Sequence, residues 1–178
     1  MKIIDHAVVG ALVLIIAACG GAPYLTVDDQ AAPQVLDYEA LLAAPVQPVS
    51  DVRQRLAKTA QSYLGAPLKR GGASPEEGFD CTGYVFYVYQ EAAGITLPRR
   101  SHDQVQMGAA ISPINLQPGD LVYFKVEEIR SLHVGLYLGE GRFIHAPSSN
   151  GTVRIERLAA PYWSSRYVGA RRVIDGTQ

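Results

Sequence analysis

The clearest hydrophobic pattern in the chain lies between residues 84 and 92, where apolar side chains recur three and four positions apart. This spacing predicts a helix with one buried face. Asp80 is a favourable N-cap residue before it, and Gly94 is a favourable stop after it. The predicted helix therefore carries Cys81 in its first turn. Its inward positions are Tyr84, Val85, Val88 and Ala92.

Two further helices are predicted on either side of this one. Ser50 is a suitable N-cap for a helix that runs to about Leu64, where a glycine and a proline end it. The glycine-rich stretch 69–78 is expected to form one wall of a cleft. A polar segment that begins at Leu97 then leads to a helix ending at Gly108. The inward positions of the first helix are Val52, Leu56, Ala60, Tyr63 and Leu64.

Downstream of residue 115 the pattern changes to short apolar runs that are typical of strands. Leu121–Val126 is predicted as the first strand. Residues 132–138 and 142–147 are predicted as a hairpin around the three-residue loop 139–141, with Gly141 in the left-handed conformation. This loop places Leu138 opposite Arg142 and defines the pairing of the rest of the hairpin.

The predicted pairing brings two histidines onto one face of the hairpin. His145 lies opposite Gly135, and His133 lies opposite Pro147. The histidines are then diagonal neighbours, about 7–8 Å apart between backbones and within side-chain hydrogen-bonding reach. A two-residue loop would place them on opposite faces, because side chains alternate along a strand.

Cys81, His133 and His145 are the residue types of a thiol-based catalytic site. Unpaired N–H groups and the helix dipole favour a thiolate at a helix start, so Cys81 is expected to be shifted toward its nucleophilic form. We expect His133 to act as the base and His145 to orient it. His102 is set aside because it falls in the predicted polar loop.

Other uses of these residues remain open from the pattern alone. An unpaired cysteine is often one more small core residue. A zinc site of one cysteine and two histidines is a further alternative, although the spacing lacks the close ligand pairs of common zinc motifs. We expect no metal and no cofactor.

Composition limits the architecture and the partners. The 178 residues are 48% hydrophobic with a formal net charge of −1, which indicates one globular domain plus a tail. The basic residues are scattered, so we expect no nucleic-acid partner. We expect a monomer.

The N-terminus has the pattern of a secretion signal. Lys2 precedes an apolar run from Ala7 to Ala18, and small residues lead to Cys19. The ending resembles a bacterial lipobox, in which Cys19 carries the lipid that holds the protein on a membrane. An uncleaved anchor helix is the alternative. In Gram-negative lipoproteins of this kind, an aspartate after the lipidated cysteine indicates retention in the inner membrane. Gly20 stands at that position, so the resemblance implies an outer-membrane lipoprotein facing the periplasm.

These segments predict three parts of the chain. Residues 1–18 are predicted as a lipoprotein signal peptide. Residues 19–48, rich in alanine and proline, are predicted as a lipidated tether. Residues 49–178 are predicted as the catalytic domain.

Five motifs follow one another along the chain. They are Phe79-Asp80-Cys81-Thr82-Gly83, Leu97-Pro98-Arg99, Leu116-Gln117-Pro118-Gly119-Asp120-Leu121, the run from His133 to Gly139, and Phe143-Ile144-His145-Ala146. In order and approximate spacing they resemble the motifs of the NlpC family of cell-wall cysteine peptidases, and the resemblance covers residues 49–178. It implies an α+β, papain-like fold with N-terminal helices, one of them bearing the nucleophile, packed on an antiparallel sheet. It also implies a Cys-His-His triad that hydrolyses peptidoglycan stem peptides, commonly between γ-D-glutamate and diaminopimelate.

Two positions depart from the family pattern. Leu68 stands where the family usually has a tyrosine near the thiol, and leucine cannot donate a hydrogen bond. Thr82 replaces the usual serine but keeps a hydroxyl. A glycine at position 83 allows close approach of a substrate backbone, and Gly135 leaves room beside the histidines. The expected substrate-binding residues are Leu68, Asp80, Thr82, Gly83 and Gly135.

We therefore expect an exported, membrane-anchored peptidoglycan hydrolase that acts through a thioester. Two other classes fit the same site. A non-catalytic module could bind stem peptides in the cleft, and an acyltransferase could pass the thioester to an amine or alcohol.

Overall fold

The computed structural model describes Leu36, Glu39 and residues 51–126 and 131–174. The predicted signal peptide lies outside these residues, as do Cys19, almost all of the predicted tether and the predicted cap at Ser50. The predictions for these segments remain predictions. Among the residues described, no helix is both long and apolar enough to span a bilayer.

The helices precede most of the strands along the chain. Two short strands pair with each other before the second long helix, and six strands form the main sheet. The helices are α1 (Asp51–Ser62), α2 (Cys81–Ala93), α3 (Ser101–Gln104), a 3-10 turn (Pro113–Asn115) and α4 (Pro161–Ser164). The strands are β1 (Ala73–Ser74), β2 (Gly78–Phe79), β3 (Ala109–Ile111), β4 (Leu121–Val126), β5 (Ser131–Gly139), β6 (Arg142–His145), β7 (Arg154–Arg157) and β8 (Tyr167–Arg172).

The main sheet is antiparallel at each of its pairings, in the order β3-β8-β4-β5-β6-β7. Helices α1 and α2 pack together and against β5. Mixed helices on an antiparallel sheet are the α+β, papain-like arrangement that the motifs implied, and this prediction is confirmed.

Both faces of the sheet are buried. One face packs on α1 and α2 through residues such as Leu56, Val85 and Val134. The opposite face packs on Trp163, with Phe124 and Phe143 as neighbours. Because side chains alternate along each strand, adjacent residues of β5 serve different cores.

Helix α1 forms as predicted but ends earlier than expected. Val52, Leu56 and Ala60 are buried on its inner face. The predicted inward position of Leu64 is wrong: its side chain is 47% exposed. The helix ends at Ser62, so the helical spacing no longer directs Leu64 toward the core.

Helix α2 confirms the prediction made from the apolar pattern. The Asp80 side chain accepts a hydrogen bond from the backbone N–H of Gly83, as an N-cap does, and Gly94 closes the helix with φ at 67°. Tyr84, Val85 and Val88 are fully buried. The helix start therefore has a defined position against the sheet, which sets where Cys81 lies.

The hairpin between β5 and β6 differs from the prediction at its turn. Gly139 pairs with Arg142, so the loop has two residues instead of three. Glu140 and Gly141 both have positive φ, at 53° and 67°, which agrees with the prediction for Gly141. A bulge between Tyr137 and Gly139 adds one residue to β5, and this extra residue restores the predicted pairing further along.

Two shorter elements also differ from the predictions. The helix expected to reach Gly108 is the single turn α3, which ends at Gln104. The glycine-rich stretch before Cys81 contains the strand pair β1 and β2, which the sequence did not indicate. Strands of two residues leave no periodic pattern to detect.

A buried ionic network joins the first helix to the C-terminal strand. Asp120 is fully buried and contacts Arg53 at 3.1 Å and Arg172 at 2.8 Å. Arg53 also donates to the carbonyl oxygen of Ile174. The Asp120 carboxylate therefore connects helix α1, the turn before β4 and the end of β8, which are far apart in the chain.

We expect Asp120→Ala to lower the free energy of unfolding by about 3–5 kcal/mol, because it leaves two arginines near the core without their anion. Glu140→Gln is the control, since it breaks an exposed pair with Arg142 worth at most about 1 kcal/mol. Denaturant unfolding of both variants measures the difference. Equal losses would contradict a structural role for the network.

Candidate active site

Cys81 is the first residue of α2 and lies on the wall of a cavity of about 580 Å³. Its side chain is partly exposed. Its neighbour Asp80 accepts hydrogen bonds from the backbone N–H groups of Gly83 and Gly71 and from the Thr82 hydroxyl. The cap and the glycine-rich segment therefore hold the thiol at the cavity.

The expectation that the helix start shifts Cys81 toward its thiolate form was wrong. Burial is the largest effect and raises the pKa of the thiol to about 11. A hydrogen bond from the backbone of Val134 lowers the pKa, while the Asp80 carboxylate raises it. At neutral pH Cys81 is therefore a thiol and needs a base to remove its proton.

His133 and His145 form a hydrogen-bonded pair on one face of the sheet. Nε2 of His133 lies 2.8 Å from Nδ1 of His145. Both residues are fully buried. The prediction that the two side chains share a face and are within hydrogen-bonding reach is confirmed.

Trp163 covers this pair. Its ring stacks on His133 with centroids 5.5 Å apart and meets His145 edge-on at 4.9 Å. Burial is the larger cause and the charge of Arg154 the smaller one, and together they lower the pKa of His133 to about 3. Burial also holds the pKa of His145 well below its ordinary value, with His133 and Arg154 contributing. Both imidazoles are therefore neutral at pH 7, as a proton acceptor must be.

The hydrogen bond from Val134 places the thiol beside the strand that carries His133. Val134 directly follows His133 in β5, so the backbone beside Cys81 belongs to the same strand segment as the candidate base. The structure thus brings the thiol at the helix start to the strand that carries His133.

A residue that the sequence did not single out contacts His133, the candidate base. Oγ of Ser148 lies 2.9 Å from Nδ1 of His133. Ser148 follows the end of β6 and lines the cavity beside Cys81. Its position after the run His145-Ala146-Pro147 carries no pattern that identifies it.

Three of the five predicted substrate-binding residues line the cavity, namely Leu68, Asp80 and Thr82. Arg99 also lines it and was missed as a site residue, although its motif was noted. Its guanidinium pairs with the Asp80 carboxylate at 3.3 Å and also donates to the carbonyl oxygen of Gly71. The arginine therefore braces the segment around the thiol.

Gly83 and Gly135 serve packing and are not part of the cavity lining, which corrects their predicted roles. A Cβ on Gly83 would lie 2.0 Å from the backbone oxygen of Gly72. A Cβ on Gly135 would lie 2.6 Å from the ring of Phe143, so the room expected for the histidines is occupied by that ring.

The prediction for His102 also needs correction. It lies in helix α3, not in a loop, and its side chain lines the cavity that contains Cys81. For the metal alternative, no group of three or more His, Cys, Asp or Glu side chains within residues 51–126 and 131–174 is arranged as a metal site requires.

The buried histidines predict a loss of stability in acid. A histidine with a lowered pKa stays neutral in the folded chain, while the unfolded chain takes up a proton below about pH 6.5. Stability is therefore full above that pH and falls as the pH drops toward the folded pKa. At pH 5 the expected loss is about 2 kcal/mol for each histidine that remains neutral.

Denaturant unfolding at pH 7 and pH 5 measures this loss. His133→Gln should lose less stability between these pH values than the wild type, because it removes one of the protons involved. Ser149→Ala, at an exposed position with no titratable group, is the control and should keep the wild-type pH dependence. If His133→Gln had the same pH dependence as the wild type, the lowered pKa of His133 in the folded chain would be refuted.

Comparison with known proteins gives consistent results. The family model described as the NlpC/P60 family matches residues 65–172, which is more than half of the chain. The chain is 44% identical over 118 residues to a protein of Bacillus subtilis named gamma-DL-glutamyl hydrolase, covering 66% of this chain and 28% of that one. It is 39% identical over 125 residues to the Escherichia coli murein DD-endopeptidase MepS/murein LD-carboxypeptidase, covering 70% and 65%. The match spans less than two thirds of the length of these relatives.

Solved structures show the same fold. An NlpC/P60 family protein from Bacillus cereus superposes with a TM-score of 0.63 at 34% identity, over 76% of this chain and 43% of the other. The NlpC/p60 domain of the peptidoglycan hydrolase SagA gives a TM-score of 0.60 at 28% identity, over 67% and 97%. The motifs, the fold and these matches agree, and the chain belongs to the NlpC/P60 family.

Proposed function

We propose that this chain is a cysteine peptidase that hydrolyses the stem peptides of peptidoglycan. The observation that carries the proposal is the approach of the cavity-lining Cys81 to the backbone of Val134, next to the buried pair of His133 and His145. A thiol, a neutral imidazole and a second group that orients it are the parts that thiol catalysis requires.

The reaction proceeds in two halves. His133 takes the proton of the Cys81 thiol, and the sulfur attacks the carbonyl carbon of the peptide bond. His133 then gives the proton to the leaving amine, which leaves a thioester on Cys81. Water, deprotonated by His133, attacks the thioester carbonyl, the C–S bond breaks and the acid is released, and the proton on His133 returns to the sulfur of Cys81. His145 holds the imidazole in orientation through the 2.8 Å hydrogen bond.

The cavity lining suits a peptide that carries carboxylates. Arg70, Arg99 and Arg100 line it, against the two acidic residues Asp80 and Asp103. Arg99 pairs with Asp80 and Arg100 with Asp103, so Arg70 gives the lining its net positive charge. Stem peptides contain free carboxylates, which this charge favours. Leu68 adds an apolar contact where the family usually has a tyrosine.

Within this class, we assign cleavage to the γ-D-glutamyl-diaminopimelate bond. Support comes from the relatives whose names specify a γ-glutamyl bond, including the Bacillus cereus protein named gamma-D-glutamyl-L-lysine dipeptidyl-peptidase, 37% identical over 121 residues. Other relatives are named for DD-endopeptidase activity, so the choice of bond is tested directly below.

The proposal places the enzyme outside the cytoplasm, where its substrate lies. The signal-like pattern of residues 1–18 and the lipobox-like Cys19 support an exported lipoprotein on the outer membrane, facing the periplasm. Labelling of the expressed chain with an alkyne-tagged palmitate, compared with a Cys19→Ala variant, tests the anchor.

Digestion of purified cell walls that contain diaminopimelate tests the activity. We expect mass spectrometry to find fragments with a new γ-D-glutamate carboxyl and a new diaminopimelate amine, and none with Cys81→Ala. Walls that bind the chain and remain intact would favour a non-catalytic binding module. Acyl groups transferred to an added amine would favour an acyltransferase. Fragments cut at another bond would overturn the assignment of the bond alone.

A further inference from the structure

Both ring nitrogens of His133 are engaged in the structure. Nε2 lies 2.8 Å from Nδ1 of His145, and Nδ1 lies 2.9 Å from Oγ of Ser148. His133 is fully buried, so water does not reach the ring to compete for either nitrogen. Each nitrogen can hold one in-plane hydrogen bond at a time.

This arrangement conflicts with the work of a base. To accept the Cys81 proton, His133 needs one nitrogen with a free lone pair. Nε2 is committed to His145, which orients the ring, so Nδ1 is the nitrogen left for the thiol. The Ser148 hydroxyl occupies Nδ1, and among the residues described the hydrogen bonds of His133 go to His145 and Ser148, with none to Cys81.

We propose that Ser148 is a positioning residue that occupies Nδ1 of His133 in the resting enzyme and that substrate entering the cleft displaces its hydroxyl. The proposal rests on the proposed function, since it concerns the same site. While Ser148 donates to Nδ1, the ring carries its proton on Nε2 and donates to His145. The serine thus withholds the base from the thiol until a peptide binds.

The location of Ser148 suits this role. It lines the cavity beside Cys81, where a bound peptide would contact it. It also lines a second cavity of about 430 Å³ that includes Trp163, so the side chain has space on either side of its present position. Ser148 lies after the end of β6, outside the sheet, where no strand pairing restrains it.

A peptide in the cleft supplies a competing partner for the hydroxyl. Its carbonyl oxygens accept hydrogen bonds, and a serine hydroxyl that turns to donate to one of them breaks its bond to Nδ1. The lone pair of Nδ1 then accepts the thiol proton, and the sulfur of Cys81 becomes the nucleophile. The serine keeps its own proton throughout, so it positions the base and takes no part in bond cleavage.

Alkylation of the free enzyme with iodoacetamide tests the proposal without a peptide substrate. The thiolate of Cys81 displaces iodide and forms an S–C bond, and its rate is followed by mass spectrometry on the peptide that contains Cys81. We expect Ser148→Ala to raise the rate about two- to tenfold, the effect of removing one hydrogen bond. Melting temperature checks that the variant is folded.

Two variants of matched size separate the hydroxyl from steric access. Ser148→Thr keeps the hydroxyl and should react at the wild-type rate, whereas Ser148→Val lacks it and should react as fast as Ser148→Ala. Ser149→Ala, at the exposed neighbouring position, should leave the rate unchanged. An unchanged or slower rate in Ser148→Ala, or equal rates in the Thr and Val variants, would overturn the proposal.

Peptide cleavage gives an independent readout. If part of the binding energy of the substrate is used to displace the Ser148 hydroxyl, the Ser148→Ala variant should have a lower KM with kcat unchanged. A fall in kcat with KM unchanged would overturn the proposal. Absence of cleavage in the wild type would refute the proposed function and leave the alkylation result standing, so the two failures are distinguishable.

Discussion

Cys81→Ala is expected to lower the rate of cell-wall cleavage by about 10⁴-fold or more. The variant has no nucleophile, and removal of the nucleophile from a catalytic triad leaves only the rate due to substrate binding and polarisation. Release of stem-peptide fragments, quantified by mass spectrometry under identical conditions, measures the loss. The effect should be the largest of any single substitution in the chain.

The control separates chemistry from folding. Cys81→Ala deletes a single sulfur from a partly exposed position, so the melting temperature should stay close to that of the wild type. Cys19→Ala in detergent should retain cleavage, because residue 19 lies outside the predicted domain. Cleavage that persists in Cys81→Ala, or is lost instead in Cys19→Ala, would disprove the mechanism.

The second large effect is expected at His133. His133→Ala removes the proton acceptor from a thiol whose pKa is about 11, so little thiolate remains at neutral pH. We expect a loss of about 10³–10⁴-fold in kcat/KM, the range typical of a general base. The loss should be smaller above pH 9, where hydroxide begins to ionise the thiol without help.

His145→Ala should be less damaging, at about 10–10²-fold, because His133 remains and loses only its orienting hydrogen bond. His145→Asn should retain more activity than His145→Ala, since the amide oxygen can accept the hydrogen bond from Nε2 of His133. If His145→Ala were the worse of the two alanine variants, the roles of base and orienting residue would be exchanged.

The hairpin shows why a correct prediction can rest on a wrong detail. The sequence predicted a three-residue loop, and the structure has a two-residue loop with a bulge after Tyr137. Either arrangement inserts the same number of residues between the paired parts of β5 and β6. Leu136 therefore pairs with Ile144 in both, and His133 and His145 share a face. The number of residues between the paired positions decides which face of the sheet carries the histidines, and the geometry of the turn does not.

The pKa of Cys81 could not be predicted from its place on the helix. A helix start stabilises a thiolate only as far as the surroundings leave the sulfur solvated. Here the strand segment around Val134 packs over the helix start, and burial outweighs the favourable hydrogen bonds. Packing between distant segments also decides the role of Gly83. Its missing side chain leaves room for the backbone of Gly72, not for a substrate.

The sequence by itself determined the helix that presents Cys81, the three strands β4, β5 and β6, and the common face of the two histidines. These features depend on neighbours within a few residues, where spacing and caps act directly. The tertiary structure alone decided that Ser148 contacts His133, that Arg99 pairs with Asp80, and that the packing around Cys81 raises the pKa of its thiol. Each depends on the packing of segments 15 or more residues apart or on the path of a loop, for which local periodicity carries no information.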